Sequence, residues 1–188
     1  MTRPVAILLA AGGSSRMGTN KALLPLDGRA LVRRHIEALG ARCDVLVVVG
    51  HEADAVGAVC GGARTVHNAD WYRTEQSDSL RLALQAVPDA DAVLVTPVDV
   101  APVPLSVLER LVGHPRAAVP CGPDGDGHPV WLCGRWLHAA RTAPMPVGLR
   151  GVLEDADRVP VGRPVGADFD DAVAWQRFLA RHRSDQTA

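Results

Sequence analysis

Short apolar segments alternate with segments of helical periodicity along most of the chain. Three apolar segments lack polar alternation, as is typical of strands covered on both faces: 5–11 (VAILLAA), 45–50 (VLVVVG) and 92–98 (AVLVTPV). Three further segments repeat apolar residues at helical spacing: 31–42, 78–87 and 104–114. This alternation predicts an α/β fold of three αβα layers, Rossmann-like, with helices on both faces of a mostly parallel central sheet.

The pattern changes after Leu111. Residues 117–136 predict two strands around a Gly- and Asp-rich loop at 122–127, either as a hairpin or as an insertion. Asp124 and Asp126 in this loop lack the further ligands of a calcium loop, so we interpret it as a solvated turn.

An amphipathic segment closes the chain at 167–183, with Asp170 or Asp171 near the predicted start of its helix. We therefore expect one domain over residues 1–183, which is long enough to bury a core, and a disordered tail at 184–188.

Composition excludes several classes of function. The formal net charge is −1, so no overall field draws the chain to nucleic acid or to an anionic membrane. The chain contains no run of eighteen apolar residues, so no transmembrane helix is predicted. The charged, Gly-rich sequence after residue 11 does not resemble a signal-peptide cleavage region. We therefore expect a cytoplasmic protein. The four cysteines form no C-x-x-C pair and the seven histidines no H-x-x-x-H pair, so we expect reduced thiols and no structural transition metal.

The first apolar segment runs into LLAAGGSSRMGTNKALLPL, residues 8–26. Glycines after a strand let backbone N–H groups approach an anion, and Arg16 and Lys21 add two positive charges. The string is not a P-loop, because two residues separate Gly18 from Lys21, and it contains no G-x-G-x-x-G. From the residues alone, a phosphate cradle and a solvated strand-to-loop junction both remain open.

The full string resembles the signature L-A-A-G-x-S-x-R-M-G, followed by Lys and L-L-P, of the nucleotidyltransferases. Within the MobA-like NTP transferase family it is most similar to the cytidylyltransferase branch of the molybdenum-cofactor enzymes. The guanylyltransferase branch usually has L-A-G-G where this chain has Leu9–Gly12. The resemblance implies the nucleotide-diphospho-sugar transferase-like fold.

Four later segments extend the resemblance over most of the chain. They are GHPVW (127–131), HNADWYRTEQSDSL (67–80), PVDVAPV (97–103) and DFD (168–170). The chain departs from the family in two places. Glu75 stands where Gly is usual, and the family's G-D-x-G-A-R is reduced to Gly148 and Arg150.

The resemblance implies transfer of CMP from CTP to molybdopterin, with release of pyrophosphate and a requirement for Mg²⁺. It also implies a transient contact with a molybdoenzyme or its chaperone. The implied nucleotide-binding residues are Leu9, Ala10, Ala11, Gly12, Gly13, Ser14, Arg16, Lys21, Asn68 and Ser77. The implied catalytic residues are Arg16, Lys21 and Asp99; the acceptor-binding residues Ser79 and His128; and the metal ligands Asp99, Asp168 and Asp170.

Each assignment has a structural alternative. Asp99 follows a strand, where open α/β folds bind ligands and where it could hold Mg²⁺, but it could also cap the next helix. Asp168 and Asp170 could instead cap the last helix. His128 could be an ordinary residue at the start of a strand, and Trp71 could serve either the core or base stacking.

Three other functions stay open. A sugar-1-phosphate nucleotidyltransferase shares the glycine loop, although GHPVW argues against it. A molybdopterin guanylyltransferase is disfavoured by Ala11. A regulatory module that binds NTP without turnover is kept open by Glu75.

Overall fold

The computed structural model describes residues 3–14, 16–142, 148–166 and 168–187. The strands are β1 (Val5–Ala10), β2 (Pro25–Leu26), β3 (Arg29–Ala30), β4 (Asp44–Val49), β5 (Arg64–His67), β6 (Ala92–Pro97), β7 (Ala118–Gly122), β8 (Gly125–Asp126), β9 (Val130–Cys133) and β10 (Asp157–Pro160). The α-helices are α1 (Leu31–Gly40), α2 (Ala53–Val59), α3 (Gln76–Ala86), α4 (Leu105–Leu111), α5 (Gly134–Thr142) and α6 (Ala172–Thr187).

The central sheet has the strand order β10-β7-β9-β6-β1-β4-β5, with β8 paired to the edge of β7. The middle strand β1 runs parallel to both neighbours, with Val5 opposite Asp44 on β4 and Val93 on β6. Among the strands of this sheet in the described ranges, β9 and the short β8 are the ones that run against their neighbours. The prediction of a mostly parallel sheet is confirmed. Residues 118–133 form the hairpin β7–β8 followed by the reversed strand β9, whereas 134–136, predicted within the second strand segment, begin α5.

Both faces of the sheet are buried, which explains why the strands show no polar alternation. Ala6 and Leu8 of β1 belong to a core shared with α1, α4 and α6. Ile7 and Leu9 belong to a second core, shared with α3 and α5. We call the side of the sheet covered by α1, α4 and α6 the α1 face, and the side covered by α3 and α5 the α3 face. The two sets of helices and the sheet between them form the three predicted layers.

The last helix begins where the sequence places it. The Asp171 carboxylate accepts a hydrogen bond from the Ala174 amide at 2.8 Å, so Asp171 caps α6. Asp168 and Asp170 are therefore not needed as caps. The helix continues to Thr187 and includes most of the segment expected as a tail, while the domain boundary at 183 stays a prediction.

Within the described ranges, no helix combines the length and the apolar character that crossing a bilayer requires. Cys43 and Cys60 are buried free thiols, and burial raises the pKa of Cys43 to about 11. These two side chains pack as small apolar core residues, whereas Cys121 and Cys133 are only partly buried.

Candidate active site

The glycine-rich loop leaves the centre of the sheet at the carboxyl end of β1. A methyl group built on Gly12 would meet no atom within 4 Å, so the space above this residue is open. A methyl group on Gly13 would lie 2.6 Å from the Trp71 ring. The two glycines therefore differ: Gly12 leaves room for a ligand, whereas Gly13 leaves room for an indole.

Ser14 and Asn20 fix the course of the loop toward Lys21. Ser14 has a left-handed backbone (φ 50°), and its Oγ accepts a hydrogen bond from the Lys21 amide at 3.0 Å. Asn20 is buried, accepts from the Ala22 amide at 3.0 Å and donates to the His51 carbonyl at 3.0 Å. These contacts fix the backbone on both sides of Lys21, whose side chain reaches Asp99 and Asp170.

Lys21 is the only lysine of the chain, and its side chain is 10% exposed. Its Nζ lies 2.9 Å from Asp99 Oδ2 and 3.4 Å from Asp170 Oδ1. The exposed Arg16 side chain also reaches Asp170, at 3.2 Å. The structure thus brings together four side chains that the sequence assigns to the site.

Asp168 completes an acidic cluster with Asp99 and Asp170. The Phe169 amide donates to the Asp99 carbonyl at 2.7 Å, which joins the segment after β6 to the segment before α6. Burial raises the pKa of the Asp168 carboxyl, and the charges of Asp99 and Asp170 raise it further, against the opposing effect of Lys21. Three carboxylates therefore face two cations, and an unbalanced negative charge remains.

This donor set suits a divalent cation with oxygen ligands. Among the residues that the structure describes, no three His, Cys, Asp or Glu side chains are arranged to hold a metal ion by themselves. Mg²⁺ does not require such a cage, because it commonly binds one or two carboxylates together with substrate phosphates. The raised pKa of Asp168 indicates crowded negative charge that such an ion would relieve. The assignment of Asp99, Asp168 and Asp170 as ligands stays a prediction.

Asn68 and Ser79 are both buried and bonded to each other. Asn68 donates to Ser79 Oγ and to Thr74 Oγ1, both at 3.0 Å, and accepts from the Asp70 amide at 3.1 Å. These bonds shape the turn that leads into α3. The structure does not place the Asn68 and Ser79 side chains on either cavity described below, so their binding roles stay predictions.

Glu75 has a local structural role that accounts for its departure from the family pattern. It is the N-cap of α3, and its side chain accepts from the Asp78 amide while Asp78 accepts from the Glu75 amide at 2.9 Å. This reciprocal capping box fixes the first turn of the helix. Ser77 lies in that turn and lines a cavity on the α3 face.

That cavity, of about 370 Å³, is the candidate acceptor cavity, and His128 forms part of its wall. Burial lowers the pKa of His128, and its Nδ1 has no hydrogen-bond partner within the described part of the chain. The exposed Arg150, one of the two residues retained from the reduced family motif, lies on the same wall. His128 also lines the second cavity of the structure, so its partnerless Nδ1 lies where the two cavities meet and is an atom that a bound group could satisfy.

Residues 6–159 match the family described as the MobA-like NTP transferase domain. The chain belongs to this family of nucleotidyltransferases. It is 33% identical over 112 residues to a molybdenum cofactor guanylyltransferase of Sinorhizobium fredii, covering 57% of this chain and 51% of that protein. It is 32% identical over 129 residues to a 2-C-methyl-D-erythritol 4-phosphate cytidylyltransferase of Nocardia farcinica, covering 60% and 51%. The chain thus spans about half the length of these two relatives.

The fold is that of solved nucleotidyltransferase-like structures. Rv0371c from Mycobacterium tuberculosis superimposes with a TM-score of 0.81 at 24% identity, covering 95% of this chain and 99% of that one. A second structure of Rv0371c, in complex with manganese, gives a TM-score of 0.75 over the same shares of the two chains. The predicted fold class is therefore confirmed, and the predicted family is confirmed by the match over residues 6–159.

The site contains residues that the sequence argument did not single out. Asn20 and Gly50 are examples: a methyl group on Gly50 would lie 2.6 Å from the Ala11 carbonyl and 2.7 Å from Trp71 Cβ. The signals were present, since Asn precedes the loop lysine and Gly50 ends an apolar strand. Neither residue carries a charge or a nucleophile, so both act by positioning the loop.

Proposed function

We propose that the chain transfers CMP from CTP to a phosphorylated acceptor, with molybdopterin as the acceptor, and releases pyrophosphate. The observation that carries this proposal is the cluster of Arg16, Lys21, Asp99 and Asp170 beside the open space at Gly12. Two cations and an acidic, metal-suited set of side chains at the strand ends match what a triphosphate requires.

The reaction needs positioning and charge neutralisation more than covalent catalysis. A phosphate monoester has a second pKa near 6, so the acceptor is largely a dianion at neutral pH and needs no general base. Its oxygen forms a bond to the α-phosphorus of CTP. The bond from the α-phosphorus to the oxygen that bridges to the β-phosphate breaks, and pyrophosphate leaves with that electron pair.

Each residue of the site would contact a different part of the nucleotide or the metal ion. Gly12 and the neighbouring loop amides would admit the triphosphate, while Lys21 and Arg16 would compensate its charge and that of the departing pyrophosphate. A Mg²⁺ ion held by Asp99, Asp168 and Asp170 would supply further neutralisation at the phosphate oxygens. Rv0371c in complex with manganese is consistent with a divalent ion in this fold.

The acceptor would enter from the α3 face of the sheet. His128 offers an imidazole nitrogen without a protein partner, and Arg150 offers a guanidinium suited to a phosphate. Pro129 follows His128 directly and restricts its backbone, so the imidazole is held in place. This cavity would therefore bind the second substrate, and the loop the first.

Ala11 supports CTP over GTP. Its carbonyl and methyl group fill the space beside Gly50, because a methyl group on Gly50 would lie 2.6 and 2.9 Å from these two atoms. The support for CTP is the resemblance of Leu9–Gly12 to the cytidylyltransferase branch, which has Ala where the guanylyltransferase branch usually has Gly; a site shaped for one base leaves polar groups unpaired with another. The relative from Sinorhizobium fredii nevertheless makes a guanylyltransferase the second candidate.

An assay of pyrophosphate release tests both the nucleotide and the acceptor of the proposed reaction. CTP, GTP and UTP would each be combined with molybdopterin, a sugar 1-phosphate and 2-C-methyl-D-erythritol 4-phosphate, in the presence of Mg²⁺. We expect turnover with CTP and molybdopterin, its loss in Asp99→Asn, and greater use of GTP in Ala11→Gly. Preference for GTP, or for another acceptor, moves the chain to the corresponding activity. Binding of NTP without release in any combination identifies a regulatory module instead.

A further inference from the structure

A second cavity, of about 480 Å³, lies on the α1 face, the side of the sheet opposite the candidate acceptor cavity. It is enclosed by α1, by α6 and by the loop that leads from Val100 to α4. Apolar side chains such as Ala38, Val103 and Phe169 form much of its wall. Its volume is in the range of cavities that hold small organic ligands.

Aromatic rings form one side of this α1-face cavity. The Phe169 and Phe178 ring centroids are 4.5 Å apart with the planes at 37°, and Phe178 stacks with His182 at 5.5 Å and 26°. Phe169 is fully buried, so the row is anchored in the core, while Phe178 and His182 extend along α6 toward solvent. A flat apolar group can lie against such a row.

The acidic side chains of the cavity wall are already neutralised. Hydrogen bonds from His182, at 3.0 Å, and from Arg34 lower the pKa of Asp27 to about 2. Glu37 accepts from Arg33 at 3.0 Å and also pairs with Arg29. Neither carboxylate therefore presents uncompensated negative charge to the cavity.

Two arginines of the cavity wall, unlike Asp27 and Glu37, are not bonded to any oppositely charged side chain that the structure describes. Arg163 and Arg181 line the cavity. Neither forms a hydrogen bond or a close ion pair within the described ranges, although the charge of Arg181 helps to lower the pKa of Asp124. Both residues are exposed to solvent. The cavity thus combines an apolar, aromatic wall with two solvent-exposed arginines, and a guanidinium binds carboxylate, sulfonate or phosphate groups well.

We propose that this cavity is a second ligand site, which binds a small anion with a flat apolar body. The aromatic row and the apolar residues of α1 receive the body, and Arg163 and Arg181 receive the anionic group. The site lies against the acidic cluster, because Phe169 is the residue between Asp168 and Asp170. His128 lines both this cavity and the candidate acceptor cavity, so the two cavities meet at that residue.

The test uses 1-anilinonaphthalene-8-sulfonate as the probe, since it combines a flat aromatic body with one sulfonate. Its fluorescence would be titrated with wild-type protein and with three variants: Arg181→Ala, Arg163→Ala and Ala38→Phe. The control is Arg177→Ala, which removes the same charge from an exposed position of α6 that does not line the cavity. Far-UV circular dichroism would check that each variant is folded.

We expect one saturable site per wild-type chain. Each arginine variant should weaken the probe about tenfold, because a charge-assisted contact is lost. Ala38→Phe should remove the saturable signal by filling the cavity, and Arg177→Ala should match wild type. Saturating CTP with Mg²⁺ should leave the probe bound.

Three outcomes overturn the proposal. The first is binding that does not saturate, which indicates a diffuse apolar surface. The second is equal binding by Arg181→Ala, Arg163→Ala and Arg177→Ala, which indicates a general charge effect. The third is displacement of the probe by CTP, which places it in the nucleotide site. None of these results depends on turnover, so they are distinguishable from a failure of the proposed transferase reaction.

Discussion

Replacing Lys21 with methionine tests the centre of the proposed mechanism. Methionine has an unbranched side chain of similar length, so it replaces the buried methylene stem of the lysine but lacks the ammonium group. Because Lys21 Nζ lies 2.9 Å from Asp99 and 3.4 Å from Asp170, the change also leaves two carboxylates without their closest cation. Lys21→Met should therefore affect both turnover and the stability of the metal-free protein.

The magnitude of each effect follows from what Lys21 contacts. Loss of one preorganised charge at the triphosphate should raise the barrier by about 3–4 kcal/mol and lower kcat/KM by about 10²–10³-fold. The stability effect is smaller, because Asp99 and Asp170 remain 28% and 51% exposed and water screens them. A loss of about 1–2 kcal/mol corresponds to a fall in Tm of about 2–8 °C for a chain of this size.

The assay is steady-state pyrophosphate release, paired with thermal unfolding in the absence of metal. The control is Arg3→Met, which removes a different ion pair, between Arg3 and Asp44 at 3.3 Å, at the opposite end of β1. That variant should keep wild-type kcat/KM. Since Lys21 is the only lysine, ¹³C reductive methylation gives one side-chain NMR signal, which should shift when CTP and Mg²⁺ are added. Wild-type kcat/KM in Lys21→Met, at saturating and subsaturating CTP, would refute the reasoning.

Three further predictions concern neighbouring features. Gly13→Ala should lower Tm because its methyl group meets the Trp71 ring, whereas the matched Gly12→Ala should keep Tm and raise the KM for CTP; equal behaviour of the pair contradicts the distinction. Asp168→Asn should raise the Tm of the metal-free protein at pH 7, because it removes a carboxylate whose pKa is raised by burial and by like charges. The same variant should show a smaller increase in Tm when Mg²⁺ is added, and an unchanged increase would place the ion elsewhere. Because the pKa of Asp27 is lowered to about 2, its contribution to stability is present above the ordinary Asp pKa of about 4 and is lost as the pH falls toward 2. Urea unfolding should show the difference between wild type and Asp27→Asn shrinking over that interval, and a constant difference would contradict the assignment.

Periodicity predicted the elements of the central layers because their burial is two-sided and continuous. The segments 5–11, 45–50 and 92–98 became β1, β4 and β6, which form the middle of the sheet. The edge strands β5 and β10 were not predicted. Each is four residues long and partly exposed, so its hydrophobic pattern is weak. Each also pairs along one side only, β5 with β4 and β10 with β7.

The site was predictable to the extent that its residues carry charge. Arg16, Lys21, Asp99 and Asp170 converge as the family signature implies. The sequence could not show that Gly13 accommodates an indole, since Trp71 lies 58 positions later and reaches the loop only through the fold. It also could not show that Asn68 and Ser79 bond to each other, because that contact depends on the path of the turn before α3.

The ion pairs of the site point to how binding and metal uptake are coupled. Without ligands, Lys21 and Arg16 are engaged by Asp99 and Asp170, and Asp168 adds a third negative charge to the same cluster. A triphosphate arriving alone must compete with these carboxylates for both cations and is repelled by the charge left over. A divalent ion held by Asp99, Asp168 and Asp170 would supply positive charge to this cluster, and Lys21 and Arg16 would then be available to the phosphates. On the proposed mechanism, the aspartates that would hold the metal therefore keep Lys21 and Arg16 engaged until metal and nucleotide are both bound.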